Sequence, residues 1–288
     1  LLLTGFLLFR SEAKAEMINM NEIVKTHDIV FITLDSLRLD AAQAALSFCQ
    51  LPNLWALMGG RRWEERHSSG SFTYAAHHAF FAGFLPTQAS PGPHPRLFAA
   101  SFAGSMTTVE GTFTFPQSTM MEGLSELGFT TLCAGGVGFF NKQSALGRIF
   151  PDMFDHSHWE KKFGVTEKDS ATHQFSWMAN EVAAKKGPVF AFVNVSAIHQ
   201  PNCHYVEGQT IDNVESQIAA LAYVDSRIPI LVDAFTKRMR DSFWIICSDH
   251  GSAYGEDGYE GHRLGHSTVW DVPYIDFIVI GNRGDDEG

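Results

Sequence analysis

Apolar residues along the chain fall into two rhythms. Four runs are apolar at nearly every position: "DIVFITL" leading to Asp35 (28–35), "VFAFVNV" (189–195), "SFWIICSD" (242–249) and "YIDFIVIG" (274–281). Unbroken apolar runs of that length read as strands buried on both faces. Between them the apolar positions take a helical spacing. "LDAAQAALSF" (39–48) predicts the helix after the first strand. "TMMEGLSELGFTTLCAGG" (119–136) predicts a helix, a stop at Gly128 and a further strand. "QFSWMANEVAAKKGPVFAFVNVS" (174–196) repeats that grammar, with Gly187 and Pro188 as the stop. "VESQIAALAYVDSRIPILVDAFTKRM" (214–239) is a long amphipathic helical stretch with an interruption expected at Pro229. Strands alternating with helices predict an α/β fold, a mostly parallel sheet covered on both faces. The Pro- and Gly-rich part at 86–116 and the polar, aromatic part at 140–173 read as loop insertions, where substrate walls are expected.

At 288 residues the chain fits one large α/β domain or two small ones, and no internal repeat divides it. We expect a single domain over 21–288 behind an N-terminal extension, 1–20. The opening "LLLTGFLLFRSEAKAE" closes on Arg10 well short of the ~20 apolar residues that a membrane span needs. It reads as sequence upstream of a start at Met17 or Met20; the competing reading, a truncated signal peptide ending near "AKA", would imply export. No other segment reads as a span. Cys49, Cys133, Cys203 and Cys247 are scattered without a CxxC pair, which favours a reducing, cytoplasmic compartment. The formal charge of −11 leaves no basic stripe for phosphate backbones, so nucleic-acid binding is not expected. A small anionic ester remains open as substrate, because one metal ion reverses the local field of a site.

Chemistry enters where the strands stop. Asp35 and Asp249 each close an apolar run, and ligands of open parallel sheets gather beyond the carboxyl ends of the strands. A lone aspartate there would read as a helix cap. Two of them, one followed by His250 and Gly251, point to a divalent-cation site with oxygen and nitrogen ligands. Between them "SFTYAAHHAFFAG" predicts a helix that starts at Thr73. A hydroxyl there is an ordinary cap, yet the same place is an anion site, and a hydroxyl touching a cation becomes a nucleophile toward phosphorus.

The order "LDSLRLD", "FTYAAHHAFFAGFLP", "FVNVSAIHQP" and "SDHG" resembles the alkaline phosphatase superfamily, in particular its sulfatase-like hydrolases, over about residues 27 to 281. The resemblance implies a three-layer α/β/α sandwich around the central sheet, with metal at its carboxyl edge. It implies Asp35, Asp249 and His250 as metal ligands, and Thr73 as both ligand and nucleophile. It also implies that His199 of "AIHQP" and His266 of "LGHSTVWDVP" contact the transferred group or the leaving oxygen. Sulfatases of this family place a formylglycine at the nucleophile position, which Thr73 cannot become, and Ala75 stands where their signature has Pro. Ser196 and Ala197 stand where two-metal relatives have an extra Asp, so one metal is expected. With a histidine ligand, Mn²⁺ or Zn²⁺ fits better than Mg²⁺ or Ca²⁺.

The expected function is a metal-dependent hydrolase of phosphate mono- or diesters, a phosphatase or phosphodiesterase acting through a phosphothreonine. Its rivals are a phospho-group transferase, a sulfatase or phosphonate hydrolase on the same site, and a non-catalytic, metal-stabilised binding protein. Of the remaining candidates, Arg38 and Asp225 read as structural, and His78 and His204 as unremarkable. His77 could equally pack inside. His262 would share a face with His266 only if that stretch were helical. "AGGVGFF" (134–140) reads as a turn after a strand, with Asn141 a candidate pocket residue.

Overall fold

The computed structural model describes residues 18–83 and 119–283, so the expected insertion at 86–116 and most of the N-terminal extension lie outside the described residues. Seven strands form one sheet in the order β2-β9-β6-β1-β5-β3-β4. They are β1 (Asp28–Leu34), β2 (Glu64–His67), β3 (Thr130–Ala134), β4 (His156–His158), β5 (Val189–Val195), β6 (Ser242–Cys247) and β9 (Asp271–Val279). The pairs joining β6, β1, β5, β3 and β4 are parallel, whereas β9 runs antiparallel to both β6 and β2. A small antiparallel hairpin, β7 (Ala253–Tyr254) with β8 (Glu260–Gly261), stands apart from this sheet.

Alternation along each strand divides the core in two. Val30, Ile32 and Leu34 of β1, Ala191 and Val193 of β5, and Trp244 and Ile246 of β6 lie in one cluster. That cluster packs against α2 (Leu39–Ser47), α3 (Pro52–Leu57), α7 (Ser170–Ala183) and α8 (Val214–Thr236). Ile29, Phe31, Phe190, Phe192 and Phe243 point the other way, toward α1 (Met20–Thr26), α4 (Thr73–Ala82) and α5 (Met120–Glu126). Both faces of the central strands are thus apolar because both are covered: the fold is a three-layer α/β/α sandwich. Two one-turn helices, α6 (Ala145–Arg148) and α9 (Ser267–Trp270), complete the described elements of that type.

Two sequence readings are corrected. The α8 helix runs through Pro229 without interruption. Proline there removes the N–H that would have reached the Asp225 carbonyl. Asn53 supplies the missing donor, its Nδ2 reaching that carbonyl at 3.2 Å. The Asp225 carboxylate in turn accepts the Asn53 and Leu54 backbone N–H groups, at 3.2 and 2.7 Å, and so caps the start of α3. The second correction concerns 140–173, which is more than a loop insertion. It contributes the edge strand β4, the start of α7, and the buried rings of Phe140, Phe150, Phe154 and Phe163. An edge strand needs pairing on one side only, so "HSH" can form one with no apolar run to announce it.

Candidate active site

The register of the sheet brings the two strand-end acids together. β1 and β6 are parallel neighbours with Thr33 opposite Cys247. Two residues further along each chain, past the last paired positions, stand Asp35 and Asp249 at the carboxyl edge. Both are fully buried. Gly251 completes "DHG" for a reason other than turn freedom: a Cβ there would collide with the Thr268 carbonyl. The loop after β6 therefore lies flat against the start of α9.

One atom from each of Asp35, Asp249 and His250 lies within 4.8 Å of the other two. The His250 Nδ1–H donates to the Gly251 carbonyl at 2.8 Å, which leaves Nε2 as the ring's lone pair. That Nε2 lies 3.6 Å from Asp249 Oδ2 and 4.0 Å from Asp35 Oδ1. It is also 3.2 Å from the Thr73 hydroxyl, which in turn lies 3.4 Å from Asp35 Oδ2. Thr73 opens α4 and is buried. Four of the residues read from the sequence thus converge on one point.

Electrostatics at that point are unbalanced. Burial would raise Asp35, but His199, His250 and the Asn194 amide (3.1 Å) together hold its carboxyl below the usual range. Asp249 goes the other way: burial first, and the neighbouring Asp35 second, push it well above that range. Its Oδ1 accepts from the Ser36 and His250 N–H groups at 3.2 and 3.0 Å. Its Oδ2 is buried without a hydrogen-bond partner. Two buried carboxylates, a neutral imidazole lone pair and an orphaned carboxylate oxygen are a donor set suited to a divalent cation. The residues fit a divalent metal, with Asp35, Asp249 and His250 as ligands and the Thr73 hydroxyl within reach.

Several supporting residues are not evident in the sequence. Ser36 adopts a left-handed φ of 65°, uncommon for a side-chain-bearing residue. That conformation aims its N–H at Asp249 and its hydroxyl at Asp35 Oδ1, 3.0 Å away. Asn194 reaches Asp35 from β5 while its Oδ1 accepts the Val137 N–H at 3.0 Å. Gly136 permits this, since a Cβ there would strike the Asn194 carbonyl. His77, one turn into α4, donates from Nδ1 to the Thr73 carbonyl at 2.7 Å, so its Nε2 accepts from the Thr33 hydroxyl at 3.0 Å. Burial holds that ring neutral, its pKa lowered to about 4. Asn141 accepts from Gln143 within its own turn.

The remaining histidines sort by geometry. His199 donates from Nδ1 to the Gln200 carbonyl at 2.6 Å and lies close enough to act on Asp35. His262 has its ring centroid 4.6 Å from that of His250 and 6.1 Å from that of His199. Burial, then the two neighbouring histidines, lower its pKa to about 4. His266 is occupied elsewhere: Nδ1 meets the Thr268 hydroxyl at 2.8 Å and Nε2 meets the exposed Asp257 at 3.1 Å. The structure therefore joins His262, rather than His266, to the cluster. The stretch between them is not helical, and it is the β7–β8 hairpin that folds His262 back over His250.

Comparison with solved structures places this architecture among known ones. The soluble domain of lipooligosaccharide phosphoethanolamine transferase A from Neisseria meningitidis superposes with a TM-score of 0.61 at 15% identity, covering 88% of this chain and 77% of that one. The C-terminal periplasmic domain of EcEptC from Escherichia coli, in complex with Zn, gives 0.59 at 13% identity, covering 90% and 74%. The lipoteichoic acid synthase LtaP from Listeria monocytogenes gives 0.56 at 14%, covering 87% and 65%. At such identities the likeness is one of fold. Comparison with curated protein sequences finds no match. The Sulfatase family model, however, matches residues 27–286. With the alkaline phosphatase-like sheet, that match over nearly the whole chain shows that the protein belongs to the sulfatase family.

Proposed function

We propose that the protein is a metal-dependent phosphoester hydrolase in which Thr73 takes up the phosphoryl group and passes it to water. The observation that carries this reading is the Thr73 hydroxyl, buried at a helix start and shared between Asp35 and His250. Zn²⁺ or Mn²⁺ at Asp35, Asp249 and His250 would lower the pKa of that hydroxyl and neutralise a phosphoryl oxygen.

The chain's own residues account for the rest. Phe72, at the N-cap of α4, makes no side-chain cap, so the first-turn N–H groups of this ten-residue helix stay available to an anion. Thr73 Oγ1 forms the new bond to phosphorus as the bond to the leaving oxygen breaks. His199 faces the same carboxylate from the loop after β5, and its Nε2 remains for the transferred group or the leaving oxygen. The neutral His262 ring offers an N–H to a phosphoryl oxygen. The role read for His266 therefore passes to His262. In the second half, water attacks the phosphothreonine and Thr73 Oγ1 is released. Such proton and hydrogen-bond assistance is typically worth ~10²–10⁴-fold.

Sulfate-ester hydrolysis is the weaker reading, because a threonine cannot supply the formylglycine of sulfatases. Transfer to an alcohol is favoured by one specific observation: a structural neighbour is a phosphoethanolamine transferase. The same Thr73 oxygen would serve both, carrying a bare phosphoryl group in monoester hydrolysis and the whole phospho-alcohol group in such a transfer. Acid quenching during turnover of an aryl phosphate, followed by peptide mass spectrometry, should find one phosphoryl group on the peptide containing Thr73. Product analysis with and without an added alcohol then separates hydrolysis from transfer. Turnover with the phosphoryl group on any other residue, or on none, would overturn the threonine mechanism.

A further inference from the structure

We propose that Arg263 makes the site prefer a doubly charged phosphoryl group, so that phosphate monoesters are taken ahead of diesters; this rests on the phosphoryl-transfer function above and names its substrate class. Arg263 directly follows His262. Its backbone adopts a φ of 69°, and its N–H donates to the Ser71 carbonyl at 2.8 Å. The loop is thereby pinned to the segment that leads into Thr73. The guanidinium lies over the ring of Phe72, the residue before Thr73, at 5.5 Å from its centroid.

This arginine is exposed, and among the described residues no carboxylate pairs with it. That is unexpected in a chain with 32 acidic side chains against 21 Lys and Arg. Two of the three acids of the same loop are engaged elsewhere, Glu256 with Arg38 at 2.5 Å and Asp257 with His266 at 3.1 Å, and the third, Glu260, is exposed and not paired with Arg263. A guanidinium lying on an aromatic face keeps its N–H edge for an oxyanion, and its planar fork matches two phosphoryl oxygens. The backbone bond from Arg263 to Ser71 and its place over Phe72 put it beside the start of α4, and it directly follows His262, whose ring lies 4.6 Å from that of His250.

The charges follow. Asp35 and Asp249, once ionised, cancel the charge of a divalent cation. Arg263 turns the balance positive. The transferred group of a monoester carries close to two negative charges at neutral pH, because its second pKa is about 6. A diester carries one, and an alkyl group replaces one oxygen that the fork could hold. The guanidinium therefore stabilises the first more than the second.

The test uses the full chain loaded with zinc, titrated calorimetrically with inorganic phosphate and with dimethyl phosphate. Wild type is expected to bind phosphate the more tightly. Arg263→Gln should lose about tenfold or more for phosphate and less than about threefold for dimethyl phosphate. Arg263→Lys, which keeps the charge without the fork, should recover part of the preference. Equal affinities in wild type and Arg263→Gln, or equal losses for both anions, would overturn the proposal; a melting curve shows that each variant is folded. The two readings fail separately. Arg263-dependent phosphate binding without any phosphothreonine would remove phosphoryl transfer and leave the anion selection. Phosphothreonine formed at one rate from an aryl monoester in both proteins would remove Arg263 alone.

Discussion

Thr73→Ala is expected to lose activity toward an aryl phosphate by about 10³-fold or more, with Thr73→Ser retaining a measurable part of it. The size of the effect follows from position. Thr73 Oγ1 is the one aliphatic hydroxyl that meets both Asp35 and His250, at 3.4 and 3.2 Å, among the described hydrogen bonds. The substitution should leave the fold intact. The helix start at α4 uses no side-chain cap, and the Thr73 carbonyl keeps its bond from His77. Asp35 also retains Ser36 and Asn194. Loss of kcat/KM with an unchanged melting temperature is the result that this account expects. An alanine variant within about tenfold of wild type would mean that water is attacking directly or that the nucleophile lies elsewhere.

The second large effect concerns Asp249 and has opposite signs with and without metal. Burial and Asp35 raise the folded-state pKa of this carboxyl well above its ordinary value. A group raised in this way contributes stability that is fully present below its unfolded pKa and is lost as pH rises through the folded one. The metal-free protein should therefore lose stability as pH climbs from the ordinary carboxylate range through that raised value. Asp249→Asn removes the charge while its Oδ1 still accepts from Ser36. It should stabilise the metal-free protein at neutral pH by about 1–3 kcal/mol, a few degrees for a domain this size, and flatten the pH dependence. Zinc or manganese binds the ionised form, so cation affinity in the wild type should rise with pH. Thermal melts of both proteins at several pH values, with and without metal, read all of this. Equal metal-induced stabilisation of wild type and Asp249→Asn would show that Asp249 is not a ligand.

Much of the framework is legible because it rests on strong local signals. The β1, β5 and β6 strands are buried almost throughout and apolar except at Asp28, Thr33, Asn194 and Ser242, and such runs have few other solutions. The acids at their ends follow from the same patterns, since parallel neighbours in register must end side by side. The edges of the sheet are less legible. The four residues of β2, Glu64–His67, are polar, with Glu64 half-buried and the other three exposed, and only pairing with β9 makes them a strand. Non-local hydrogen bonds are harder still. Ser36, Asn194 and His77 reach the site from three elements, and no spacing in the sequence links them. His262 was obscured for a related reason: its place depends on a hairpin of two-residue strands, too short to leave a periodic signal. Pro229 misleads because its cost is met by Asn53, far away in the sequence.

The central claim is that one cation and the Thr73 hydroxyl occupy a common point at the carboxyl edge of the sheet. The direct measurement is a crystal structure of zinc-loaded protein with vanadate, recorded on both sides of the zinc absorption edge. The account predicts an anomalous peak bounded by Asp35, Asp249 and His250, with vanadium joined to Thr73 Oγ1. A zinc peak remote from those three side chains, or vanadate held away from Thr73, would contradict it.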